Sequence, residues 1–141
     1  MKMIRCNVVM VFSPEGDSLL FCRRTRDPFC GKFNMVGGHI EPGESDEEAA
    51  YRELEEESGI GRDDIHLSHV MDMIYRVTGL ELQIWAGRLL RPVELRAEDQ
   101  PLFWLSVDEN YFDAERFAGN GNIGHILREV LAAGIAEKAE E

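Results

Sequence analysis

The 141-residue chain predicts an α/β protein, with a mixed sheet carrying helices on its faces. Three observations lead there. Short β-branched and apolar runs recur between glycine turns. A long acidic segment has helix start and stop residues at its ends. A third segment places apolar side chains at helical spacing. Ile4–Phe12 reads as the first strand, and the turn Ser13-Pro14-Glu15-Gly16-Asp17 leads into Leu19–Arg24 as its hairpin partner. Arg26–Lys32, with Pro28 and Gly31, is a loop, and Phe33–Val36 is a short strand running into Gly37-Gly38. After the turn Glu41-Pro42-Gly43, Ser45 or Asp46 caps a helix that runs to Ser58 and stops at Gly59. His66–Arg76 and Leu80–Leu89 form a hairpin around Thr78-Gly79. In the second of these strands Leu80, Leu82, Ile84 and Ala86 alternate with Glu81, Gln83 and Trp85, the period of a strand with unlike faces. Leu102–Leu105 is a short strand. Ile123, Ile126, Leu127, Val130 and Leu131 put an amphipathic helix over Asn122–Ala133.

With 44% hydrophobic residues the chain can bury a core as one domain, residues 1–136, with 137–141 a short acidic tail. No apolar run approaches the ~18–20 residues of a membrane-spanning helix. The strand-like N-terminus lacks the small-residue cleavage site of a signal peptide. Three cysteines (Cys6, Cys22, Cys30), odd in number and without metal spacing, predict a reducing, cytoplasmic setting. The net charge of −12 argues against binding nucleic-acid polymer, but a small phosphorylated ligand stays open because bound cations reverse the local sign.

Residues 44–58 hold eight acids against the single base Arg52. On a helix Glu53, Glu56 and Glu57 stand at i, i+3 and i+4, so their carboxylates share one face, with the small Ala49 one turn before them. Like charges at this spacing repel, and acids in a last helical turn oppose the helix dipole. A bare E-x-x-E-E is commonly a solvated face. It also suits a hard divalent cation held through oxygen, Mg²⁺ or Mn²⁺.

The stretch from Gly38 to Ile60 resembles the Nudix signature G-x5-E-x7-R-E-U-x-E-E-x-G-U, where U is bulky and apolar. Gly38, Glu44, Arg52, Glu53, Leu54, Glu56, Glu57, Gly59 and Ile60 fill all nine fixed places. The resemblance implies the Nudix fold, an α/β/α sandwich, and hydrolysis of a nucleoside diphosphate linked to another moiety. It implies Mg²⁺, with Mn²⁺ as a substitute, held by Glu53, Glu56, Glu57 and the Gly37 carbonyl. It makes Glu53 the first candidate to take a proton from water, with Glu56 beside it and Arg52 bonded to the glutamate rather than to substrate. Glu44 becomes a supporting acid, and Gly38 and Gly43 let the backbone turn beside phosphate oxygens. Within the family the base comes from the helix or from a later loop. Glu98 in that loop is also a candidate metal ligand, with Asp99 and Glu94 competing for the place.

Residues 21–44 resemble the MutT-like branch, which acts on nucleoside triphosphates with damaged bases such as 8-oxo-dGTP. That likeness points to Arg23 for phosphate and Asn34 for a base edge, since an amide offers both donor and acceptor. In RFAGNGNIGHIL it points to Phe117 for stacking and to Asn120 or Asn122 for hydrogen bonding. The chain departs from the branch's eukaryotic members, which have acidic side chains and Trp there. The same residues also suit plainer roles, Phe117 in the core and the asparagines in turns. The expectation is a nucleoside triphosphate diphosphatase acting on a small nucleotide, as monomer or homodimer. Its alternatives are a Nudix enzyme for ADP-ribose, a nucleotide sugar or a dinucleoside polyphosphate (Tyr75 keeps the last open), or a non-catalytic nucleotide-binding regulator. Regulators of that kind lose an acid of the signature, and this chain keeps them all.

Overall fold

A computed structural model describes residues 2–137. Of the expected tail, residues 138–141 lie outside the described residues. The strands are β1 (Ile4–Phe12), β2 (Ser18–Arg23), β3 (Phe33–Asn34), β4 (Val36–His39), β5 (Ser68–Tyr75), β6 (Leu80–Arg88) and β7 (Leu102–Ser106). The helices are α1 (Asp46–Ser58) and α2 (Asn122–Ala132).

All seven strands join one mixed sheet with β1 at its centre. β1 runs parallel to β6 over its whole length, Ile4 opposite Leu80 and Phe12 opposite Arg88. β5 continues that side as an antiparallel neighbour of β6. The other edge of β1 is shared. β4 pairs with Cys6–Val9, and β2 joins only at the far end, where Phe12 faces Leu19. β2 then carries β3 and β7 as antiparallel neighbours. The sheet therefore forks beside β1, and the segment from β3 to β4 crosses the fork.

The expected strand Phe33–Val36 is thus two strands, corrected by a break at Met35. The Asn34 side chain accepts the Met35 N–H at 2.9 Å, a local bond that competes with the ladder as the chain changes partners.

From Val8 to Phe12 β1 reads as an unbroken apolar run because both its faces are covered there. Val9 and Val11 pack with Leu20, Trp85 and the α1 residues Ala50, Tyr51 and Leu54. Val8, Met10 and Phe12 pack with Phe21, Ile84 and the α2 residues Ile123, Ile126 and Val130. This is the expected α/β/α layering. The unlike faces expected for β6 are corrected in its middle. Gln83 and Trp85 are 2% and 5% exposed, and the indole N–H donates to Gln83 Oε1 at 3.1 Å. A polar residue survives there because its amide is satisfied.

Candidate active site

α1 begins at Ser45, whose Oγ accepts the Glu48 N–H, and ends at Gly59, which has φ +80° and bonds back to the Glu55 carbonyl. The acids of this helix fall into two groups of three, with Glu53 between them. Asp46, Glu47 and Glu48 lie in the first turn, where the dipole favours them. Glu55, Glu56 and Glu57 lie in the last, where it does not, and no basic residue accompanies them.

Arg52 stands among the signature carboxylates. It grips Glu44 with two bonds, Nε to Oε2 at 2.9 Å and Nη2 to Oε1 at 2.6 Å. Its Nη1 donates to Glu53 at 2.9 Å and to Glu56 at 3.2 Å, and Nη2 also reaches the His39 carbonyl at 3.0 Å. Relief of the acid repulsion, which the sequence assigns to a cation, therefore comes in part from this guanidinium. One positive charge does not neutralise four carboxylates. Glu57 lies beyond its reach and accepts the Gly37 N–H at 2.7 Å. Burial, with Glu53 and Glu98 adding repulsion, pushes Glu57 up to about 7, and burial also raises Glu53.

The arginine pair holds Glu44 down to about 2. A carboxylate lowered on folding stabilises the protein fully above its unfolded value near 4.5, and the contribution is lost as pH falls through the folded value. Thermal melting between pH 5 and 2 is expected to fall more gently with pH in Glu44→Gln than in the wild type. Parallel curves would remove the pair from that role.

The glycines before α1 serve space more than turning. A Cβ on Gly38 would sit 2.6 Å from the Glu53 carboxylate, and one on Gly37 would sit 2.1 Å from the Asn7 carbonyl oxygen. Gly43, with φ +87°, does take the turn expected of it, with nothing near its Cβ position.

Two cavities border this cluster. A smaller one of about 320 Å³ is lined by Glu57, Glu98, Asp99 and Arg26, among others. Asp99 is paired with Arg26 at 2.8 Å, and Glu94 lines neither cavity. A larger one of about 570 Å³ opens at the sheet fork and is walled by Asn34, Gly37, Gly38, Tyr75, Asn120 and Asn122, among others. Glu57, Cys22 and Gln100 line both. Burial lifts the Cys22 thiol to about 11, so it stays protonated at neutral pH and is no nucleophile.

Glu53, Glu56 and Glu57 share one face of α1, and Glu98 lines the smaller cavity together with Glu57. Their donors are all oxygen, which fits a hard divalent cation. Among the described residues no three acidic, histidine or cysteine side chains already converge on one point.

One expectation fails. Phe117 is fully buried between Phe21, Phe33 and Tyr111, so its ring is closed to a base. Arg23 is exposed and bonds to the Gly31 carbonyl, while Arg24 lines the larger cavity. Strand alternation explains the swap, because Arg24 shares the face of Cys22 and Arg23 takes the opposite one. Phe29 also lines the larger cavity, from a left-handed φ of +65° that no sequence signal announces. Asn7, a polar residue at the head of the apolar run of β1, is a signal the sequence carries.

A family model described as NUDIX domain matches residues 1–125. The CTP pyrophosphohydrolase of Escherichia coli is 32% identical over 111 residues, which cover 77% of this chain and 80% of that one. The human NAD-capped RNA hydrolase NUDT12 is 45% identical over 53 residues, 38% of this chain, and that match spans only 11% of the relative's length. Among solved structures, a Caenorhabditis elegans Ap4A hydrolase superposes with a TM-score of 0.74 at 22% identity, covering 94% of this chain and 99% of that one.

Proposed function

The chain belongs to the Nudix family of pyrophosphohydrolases, and from that premise we propose that it cleaves a nucleoside triphosphate to the monophosphate and pyrophosphate. The substrate carries a normal base or an oxidised one, as in 8-oxo-dGTP. One observation carries the reading. The acidic face of α1 adjoins, through Glu57, a cavity of about 570 Å³ walled by neutral amides, a volume within the range of small-molecule sites.

In this reading Glu53, Glu56 and Glu57, with the Gly37 carbonyl and Glu98, hold Mg²⁺ or Mn²⁺. When bound, the cation neutralises phosphate charge and acidifies water. Glu53 accepts the proton from the attacking water, and Arg52 fixes that carboxylate. Arg24 takes the phosphate contact expected of Arg23. Asn34 and Asn120 meet the base edge, and Gly38 leaves the room that the Glu53 carboxylate fills.

A panel of nucleoside triphosphates with Mg²⁺ tests this. Phosphate is expected to appear only after pyrophosphatase is added. Inorganic phosphate released directly, or no turnover of any triphosphate, would sink the reading. For Asn34→Ala we expect the ratio of kcat/KM between bases to shift about tenfold, with less change in kcat. An unchanged ratio would take Asn34 out of base recognition.

Tyr75 supports a second reading, a dinucleoside polyphosphate substrate. It lines the larger cavity, and its hydroxyl accepts from Asn122 Nδ2 at 2.8 Å. Cleavage of such a substrate into two nucleotides would leave no phosphate for pyrophosphatase to reveal.

A further inference from the structure

Asn7 lies in β1, 1% exposed, opposite Gly38 of β4 and beside Gln83 of β6. Its Oδ1 accepts the Gly38 N–H at 3.2 Å. Its Nδ2 is sealed from solvent and has no partner. A buried amide donor left unpaired weakens a fold, and native proteins retain few of them without a use.

The register shows which face of the sheet this side chain takes. Residues opposite one another on antiparallel strands project to the same face, with Cβ atoms ~4.5–5.5 Å apart. A Cβ on Gly38 would sit 2.6 Å from the Glu53 carboxylate, so Asn7 projects to the face that Glu53 covers. Gln83 shares that face, but its Oε1 is engaged by the Trp85 indole. Glu53 has acceptor capacity to spare. Arg52 takes its Oε1, and a carboxylate offers about four acceptor sites. Arg52 also divides itself between Glu44 and Glu56.

We propose that Asn7 is a positioning residue for Glu53, its Nδ2 donating to that carboxylate when the site is loaded and holding it between Arg52 and β1. This rests on the reading of Glu53 as a cation ligand and proton acceptor.

Two variants separate this role from a purely structural one. Asn7→Leu keeps the branching and the heavy-atom count and removes both polar atoms. Asn7→Asp keeps the acceptor for Gly38 and replaces the donor with a second carboxylate oxygen, which adds a negative charge on the Glu53 face. The full chain is assayed for Mn²⁺ binding without nucleotide, for kcat and KM on the best panel substrate, and for thermal melting. Both variants are expected to lose about tenfold or more in kcat with KM within about twofold, and Asn7→Leu to weaken Mn²⁺ binding about tenfold. Melting of Asn7→Leu should stay near the wild type, since an idle buried donor disappears along with the Gly38 bond. In a Glu53→Gln background, Asn7→Leu should leave Mn²⁺ affinity unchanged, because its effect runs through Glu53. Wild-type kcat in either folded variant, or an undiminished effect on Mn²⁺ in the Glu53→Gln background, would overturn the proposal. A wild-type chain that binds no Mn²⁺ and turns over nothing on the panel would instead sink the functional reading, and this proposal with it.

Discussion

Glu53→Gln is expected to lower kcat by roughly 10²–10⁴-fold, the range for loss of a proton acceptor, while the protein stays folded. The fold survives for a specific reason. Burial already penalises the charge on Glu53, so a neutral amide of the same shape removes a cost, and Arg52 keeps its two-bond grip on Glu44. Glu56→Gln is expected to lose most turnover as well. Its side chain is 49% exposed, so its stability effect should be within ±0.5 kcal/mol. Initial rates with Mg²⁺, read beside melting curves, decide the matter. Retained activity in both variants would mean that the acidic face of α1 is not where the chemistry happens.

Gly37→Ala is expected to destabilise the protein by about 2–4 kcal/mol, from overpacking together with backbone strain. The added methyl would meet the Asn7 carbonyl oxygen at 2.1 Å and the Val8 Cα at 2.8 Å. Both belong to the backbone of the central strand, which cannot swing aside as a side chain can. The backbone at Gly37, with φ +154°, also disfavours any L side chain. For a chain of this size the loss corresponds to a melting temperature lowered by roughly 5–15 °C. Gly43→Ala is the control, with the same chemistry in open space, and should lose only the cost of its left-handed turn. Equal melting temperatures for the two variants would show that β1 and β4 do not approach as described.

The local features were legible and the long-range ones were not. The bounds of α1 follow from Ser45 and Gly59, whose capping roles depend on neighbours three or four residues away. α2 follows from the spacing of Ile123, Ile126, Leu127 and Val130. The forked sheet was hidden because the change of partner at Met35 depends on which edge of β1 is free, and periodicity does not report edges. Arg52 read as a helper of one glutamate. Its role as a hub needs Glu44 to fold back from the preceding loop, eight residues away. Which of Arg23 and Arg24 lines the larger cavity turns on strand phase, which Cys22 supplies. Phe117 read as a stacking platform because its neighbours resemble a binding loop, yet aromatic rings from three other segments enclose it.

The parallel pairing of β1 with β6 has a consequence for biogenesis. Arg5 must wait for Glu81, 76 residues later, before its strand gains that neighbour. During synthesis the amino-terminal hydrophobic run would emerge long before its mate, at the ribosome's ~5–20 residues per second. Distant pairing of this sort slows folding and leaves sticky intermediates. A nascent chain halted ahead of residue 80 should therefore be a stronger client for chaperones than the finished molecule.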